Sequence, residues 1–101
     1  MVKLITEFNE IPLDKKVIID FFADWCGPCK RIAPEFLILS EQYKDIVFLK
    51  VDVEASPLLA DNFNITSLPT FVIQNSGEII TTIKGGNLDS IKLNLNNLQL
   101  I

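Results

Sequence analysis

Val17-Ile18-Ile19-Asp20-Phe21-Phe22-Ala23-Asp24-Trp25-Cys26-Gly27-Pro28-Cys29-Lys30 is the stretch on which the fold turns. Val17 to Phe22 is a near-continuous apolar run, the pattern of a strand covered on both faces and therefore parallel and central. From Cys26 to Tyr43, apolar residues recur at Ile32, Phe36, Leu39 and Tyr43, in steps of 4, 3 and 4, which is a helical stripe. Pro28 suits the first turn of that helix, where no amide donor is needed. Pro34 removes the bond its amide would give to the carbonyl of Lys30 and predicts a kink.

Working outward, Val2 to Thr6 reads as a short strand. Glu7 to Lys15 is polar but carries Phe8, Ile11 and Leu13, enough for one or two helical turns. Ile46 to Val53 is a second β-branched run, and Pro57 to Phe63 reads as a short helix that Ser56 is placed to cap. Thr70 to Gln74 and Ile79 to Lys84 are strands joined through Asn75, Ser76, Gly77 and Glu78, a hairpin. Leu88, Ile91, Leu95 and Leu98 give a closing amphipathic helix, with Asn87 as its cap and Asp89 in its first turn. The order predicts two strand–helix–strand crossovers followed by a hairpin. This is an α/β fold with a central mixed β-sheet and helices on both faces. No repeat or linker divides the chain, so residues 1–101 read as a single domain.

The 101 residues are 49% apolar, and 9 basic against 13 acidic side chains give a net charge of −4. At this length folding hides roughly 65% of the unfolded chain's surface, so one core forms without disulfide staples. A sequence-independent nucleic-acid binder needs clustered Lys and Arg, whereas the basic residues here are scattered from Lys3 to Lys92; nucleic acid is not expected as a partner. There is no histidine. That removes every Ser/His/Asp or Cys/His arrangement and every histidine-ligated metal. No apolar stretch approaches the ~20 residues of a membrane span. Met1 to Asn9 lacks a cationic start followed by an apolar stretch, so no cleavable targeting signal is visible and the cytoplasm is the expected compartment.

Cys26 and Cys29 are the only cysteines. They follow a predicted strand and open a predicted helix, where unpaired amides and the positive end of the backbone dipole favour a thiolate at Cys26. Cys29, three residues on, shares a face with it within disulfide reach. Closing a four-residue loop is worth about 2 kcal/mol by chain entropy, against about 4.7 for a hundred-residue loop, so such a bond holds little together. Its value is chemical. A redox dithiol, half of a Cys₄ zinc site shared between two chains, and structural cysteines are the readings to weigh, with a second cysteine pair missing for the zinc site.

Asp20 lies in the middle of the apolar run and shares a strand face with Ile18 and Phe22. Burial there raises its pKa and lets it exchange protons near neutral pH. The alternative is an Asp on an exposed face or paired with a lysine, and Lys50 in the next parallel strand is its neighbour on either account. Pro69 begins a strand, where a trans proline is the ordinary case. Trp25 is either a core aromatic or an exposed contact. Lys30 and Arg31 read as solvated helix residues.

Phe21-Phe22-Ala23-Asp24-Trp25-Cys26-Gly27-Pro28-Cys29-Lys30, then Ile32-Ala33-Pro34, Val51-Asp52-Val53, Ile65-Thr66-Ser67-Leu68-Pro69-Thr70-Phe71, Asn75-Ser76-Gly77 and Gly85 together resemble the thioredoxin family. The likeness runs from about Val17 to the end. It implies the thioredoxin fold and a protein-disulfide reductase, with Cys26 the attacking thiolate and Cys29 the resolving thiol. By the same resemblance Asp20 is the buried acid that handles the Cys29 proton and Lys50 the lysine near it. Pro69 corresponds to a cis-proline facing the cysteines, and the backbone of Leu68 to a docking edge for an extended target segment. Trp25, Gly27, Pro28 and Gly85 then line the contact surface.

The family implies no cofactor beyond the Cys26–Cys29 disulfide and no metal. Its partners are disulfide-containing target proteins and a thioredoxin reductase drawing on NADPH, and a monomer is expected, without a membrane. Gly27 and Pro28 between the cysteines, rather than a histidine, favour a reductant over an isomerase or oxidase. The alternative is a non-catalytic thioredoxin-fold binding subunit. Two departures stand out: Glu7 to Lys16 is shorter and more polar than the family's first helix, which predicts a reduced helix and a less anchored edge strand. Gly86 replaces a small residue such as alanine and predicts a looser loop. Phe22 is a common variant and is expected to leave function undisturbed.

Overall fold

The structure, a computed structural model, describes residues 1–101. Its strands are β1 (Val2–Leu4), β2 (Lys16–Phe22), β3 (Ile46–Asp52), β4 (Thr70–Asn75) and β5 (Glu78–Lys84). They form one sheet of order β1-β3-β2-β4-β5, in which β1, β3 and β2 are parallel, β4 runs antiparallel to β2, and β5 antiparallel to β4. The apolar run thus lies at the centre. Register sets Asp20 opposite Lys50 on one side and Phe71 on the other.

Three helices cover the sheet: α1 (Gly27–Gln42), α2 (Pro57–Asn62) and α3 (Leu88–Gln99). Ile32, Phe36 and Leu39 of α1 and Ile91, Leu95 and Leu98 of α3 close over Ile18, Phe71 and Ile73. Leu59 and Ala60 of α2, with Ile5 and Ile11, cover Val17, Ile19, Phe21, Leu49 and Val72 on the opposite face. Helices therefore lie on both faces, as the order of elements predicts. α1 continues across Pro34 to Gln42.

The second connection differs from expectation. β4 runs antiparallel to β2, so the link from β3 through α2 is not a parallel crossover. Six helical residues advance about 9 Å, against about 23 Å for the seven residues of β3. α2 is too short to return the chain to the start of β3, and β4 begins near the end where β3 stops. Asn87 caps α3, its Oδ1 accepting from the Ser90 amide at 3.0 Å. Ser56 makes no such bond. Asp52 Oδ1 orders the turn before the helix, accepting from the amides of Glu54 at 2.9 Å and Ala55 at 3.3 Å.

Between Leu4 and Lys16 the helix is reduced to one 3-10 turn, Phe8–Glu10. Glu10 Oε2 accepts from the amides of Thr6 at 2.9 Å and Glu7 at 3.0 Å, which holds its carboxyl below the usual range. The edge strand is nevertheless anchored. Ile5 is fully buried and donates its amide to Lys50 O at 3.0 Å, and the Met1 ammonium donates to Ser40 Oγ at 2.8 Å.

Candidate redox site

β2 ends at Phe22, and Ala23 to Trp25 carry the chain into α1. The Cys26 amide donates to Ala23 O at 3.1 Å, which tightens the turn. Cys26 takes the cap position with extended backbone, and its Sγ accepts from the Cys29 amide at 3.2 Å. The sulfur stands where a serine or aspartate oxygen usually satisfies an unpaired helix amide, and the same amide and dipole stabilise negative charge on it. Cys29 is joined to Cys26 by a disulfide, with Cα atoms 5.2 Å apart. Both cysteines are buried, at 4% and 3% exposure, in a small cluster with Ala23 against which Phe22, Val53 and Leu68 pack. What distinguishes the two cysteines is position: Cys26 is at the helix start and Cys29 inside the first turn.

Two loops close on this pair. The Leu68–Pro69 bond is cis. Pro69 O accepts from the Gly85 amide at 2.8 Å, and Gly85, at φ +92°, adopts the left-handed region that favours glycine. A Cβ at Gly86 would lie 3.7 Å from Pro69 Cγ and 3.8 Å from Pro28 O, so Gly86 stands between the two prolines. Trp25, 67% exposed, is a surface residue and not a core aromatic.

Behind the disulfide, Asp20 is 4% exposed and its Oδ1 has no hydrogen-bond partner. It lines a cavity of about 160 Å³ together with Phe22, Ala23, Asp24, Cys29, Lys30, Ala33 and Lys50. Burial pushes its carboxyl up from an ordinary 3.8 to about 7, against the opposing pull of the Lys50 ammonium. Lys50 makes no ion pair with Asp20; its Nζ lies over the Phe22 ring, 5.7 Å from the centroid. A buried carboxyl whose pKa lies near neutral therefore shares a cavity with Cys29. No group of three or more His, Cys, Asp or Glu side chains is placed to hold a metal, and the disulfide occupies both cysteine sulfurs.

The thioredoxin family model matches residues 2–97. The chain is 45% identical over 96 residues to thioredoxin 1 of Plasmodium falciparum, covering 91% of this chain and 92% of that one. Thioredoxin-3, mitochondrial, of Saccharomyces cerevisiae is 40% identical over 95 residues, covering 93% of this chain and 75% of that protein. The chain belongs to the thioredoxin family. A solved Plasmodium falciparum thioredoxin superposes with a TM-score of 0.89 at 40% identity, covering 94% of this chain and 97% of that one. As a member of this family it is a dithiol/disulfide oxidoreductase with the thioredoxin fold, and the disulfide it uses is part of the chain.

In this thioredoxin fold β2 and β5 end where β4 begins, which puts the Trp25–Cys29 turn, Leu68–Pro69 and Gly85 at one end of the sheet, with Asp20 and Lys50 two residues inside it on β2 and β3. The neighbours that escape sequence reasoning include Phe22, Asp24, Ala33 and Lys30, which line the Asp20 cavity, and Gly86, wedged between the prolines. The helical period sets Ala33 and Lys30 on one side of α1 but carries no signal for what that side faces. No helix is long and apolar enough to cross a membrane.

Proposed function

We propose that residues 1–101 form one thioredoxin domain that reduces disulfides in other proteins, acting as a monomer in the cytoplasm and recycled by a thioredoxin reductase. Cys26 thiolate attacks one sulfur of a target disulfide. A mixed disulfide forms, the target bond breaks, and the target's second sulfur leaves as a thiolate that takes up a proton. Cys29 then gives its proton to Asp20 and attacks Cys26 Sγ. The Cys26–Cys29 disulfide forms, the mixed disulfide breaks, and the target's remaining sulfur leaves to be protonated in turn. Two electrons have passed from the dithiol to the target. Lys50 moderates the charge on Asp20. The surface of Trp25, Gly27, Pro28, Leu68, Pro69 and Gly85 receives an extended target segment, paired along the Leu68 backbone.

The observation that carries this reading is a disulfide at a helix start, closing only a four-residue loop, with a buried carboxyl of elevated pKa in the cavity behind it. Such a bond opens and closes without unfolding the domain. Glycine and proline between the cysteines add no cation to stabilise the thiolate, which supports a reductant. A monomer is supported by sheet faces that the chain's own helices cover. A reducing compartment suits an open dithiol and supports the cytoplasm.

Insulin reduction in the presence of dithiothreitol tests the activity. The chain accelerates it and the Cys26→Ser/Cys29→Ser double variant does not. No acceleration, with cellular function surviving the double substitution, would establish a binding subunit instead.

A further inference from the structure

The Phe22 side chain meets three parts of the site at once. It packs against the cluster of Ala23, Cys26 and Cys29, it lines the cavity into which Asp20 projects, and its ring lies under the Lys50 ammonium. Asp20 and Lys50 are register partners on adjacent strands, so their side chains leave the sheet on the same face as near neighbours. A four-carbon lysine stem easily spans that gap. Nevertheless, Lys50 makes no ion pair with Asp20, whose Oδ1 stays unpartnered. Phe22, two residues along β2 and on the same face, takes the ammonium instead. The other charged or titratable groups facing Asp20 are Lys30 and Cys29 from α1 and Asp24 from the turn after β2, while β4 presents Phe71.

We propose that Phe22 is a positioning residue for the resolving step: its ring holds the Lys50 ammonium away from the Asp20 carboxylate, which is thereby kept able to take the Cys29 proton. An ammonium paired directly with Asp20 would stabilise the carboxylate and make it a poor acceptor at neutral pH. One held over an aromatic face keeps its charge satisfied by the ring quadrupole and the solvent at the cavity mouth. The ring thus sets the basicity of a group it does not itself protonate. This rests on the reading that Asp20 accepts the Cys29 proton.

The test follows the carboxyl ¹³C shift of Asp20 against pH in the full chain, for Phe22→Leu, Phe22→Trp and Lys50→Met, and for Phe22→Leu combined with Lys50→Met. Phe22→Leu should lower the Asp20 midpoint by about one pH unit. Phe22→Trp should leave it in place, since an indole holds an ammonium at least as well. In the Lys50→Met background Phe22→Leu should have no further effect, because the ring acts through the lysine. A fluorinated phenylalanine at position 22 keeps the packing while weakening the quadrupole and should also lower the midpoint, which covers the case of a Phe22→Leu variant that does not fold. An equal fall with and without Lys50 would overturn the proposal, because the ring would then only exclude water; so would an unmoved midpoint. Separately, an unchanged rate of mixed-disulfide resolution in Asp20→Asn would refute the Asp20 reading itself and leave the Phe22–Lys50 geometry standing.

Discussion

Replacing Asp20 by asparagine should stabilise the oxidised protein, and by an amount that depends on pH. Folding lifts the carboxyl from an ordinary 3.8 to about 7. Between those values the unfolded chain has lost the proton and the folded chain has kept it, so stability falls as pH rises. The interval of about three pH units, at 1.36 kcal/mol per unit, comes to about 4 kcal/mol. Asp20→Asn keeps the shape and removes the titration. The variant and the parent should therefore run parallel below pH 4, diverge between pH 4 and 7, and differ by about 4 kcal/mol above pH 7. Guanidinium unfolding of both proteins at several pH values, with the disulfide intact, measures the gap as a change in midpoint at constant m. A difference that stays flat across this range, or one under about 1 kcal/mol at pH 8, would refute a buried carboxyl of elevated pKa.

Gly86→Ala should stabilise by about 0.4–1 kcal/mol, since its backbone lies outside the left-handed region and a Cβ meets only ordinary contacts at 3.7 Å and beyond. Gly85→Ala should cost about 1–2 kcal/mol, because φ is +92° there even though the space is open; thermal unfolding of the two variants checks both signs. Leu95→Ala, at a fully buried position, should cost about 2–5 kcal/mol in urea unfolding. Trp25→Ala should leave stability within about 0.5 kcal/mol, as a residue 67% exposed. In insulin reduction the same variant should raise KM about 5-fold or more, the loss of one aromatic anchor of the target surface.

Much of the fold is legible in the chain because its signals are local and strong. The near-continuous apolar run Val17 to Phe22 identifies a central strand, the spacing of Ile32, Phe36 and Leu39 identifies α1, and Asn87 marks the start of α3 at Leu88. Ser56 makes no cap bond, and the turn before it is ordered by the Asp52 side chain. The antiparallel return into β4 escaped because element order does not carry strand direction; the length of α2 against β3 does. The edge strand is held by Ile5 and the Met1 ammonium, contacts made across more than thirty residues of sequence.

Local sequence was sufficient for the cysteine pair and its helix start, since three residues and one turn of backbone make that geometry. It also pointed to a buried Asp20, an acid within a strand apolar on both faces, and the structure decides for that reading over an exposed or lysine-paired one. The Lys50 ammonium is different. Register makes it a neighbour of Asp20, and only three-dimensional packing decides that it rests on Phe22 instead. The convergence of Pro28, Pro69 and Gly86 is likewise a product of loops meeting at one end of a sheet. Chemistry confined to a single turn is written in neighbouring residues, whereas a charge's setting depends on which distant side chains share its cavity.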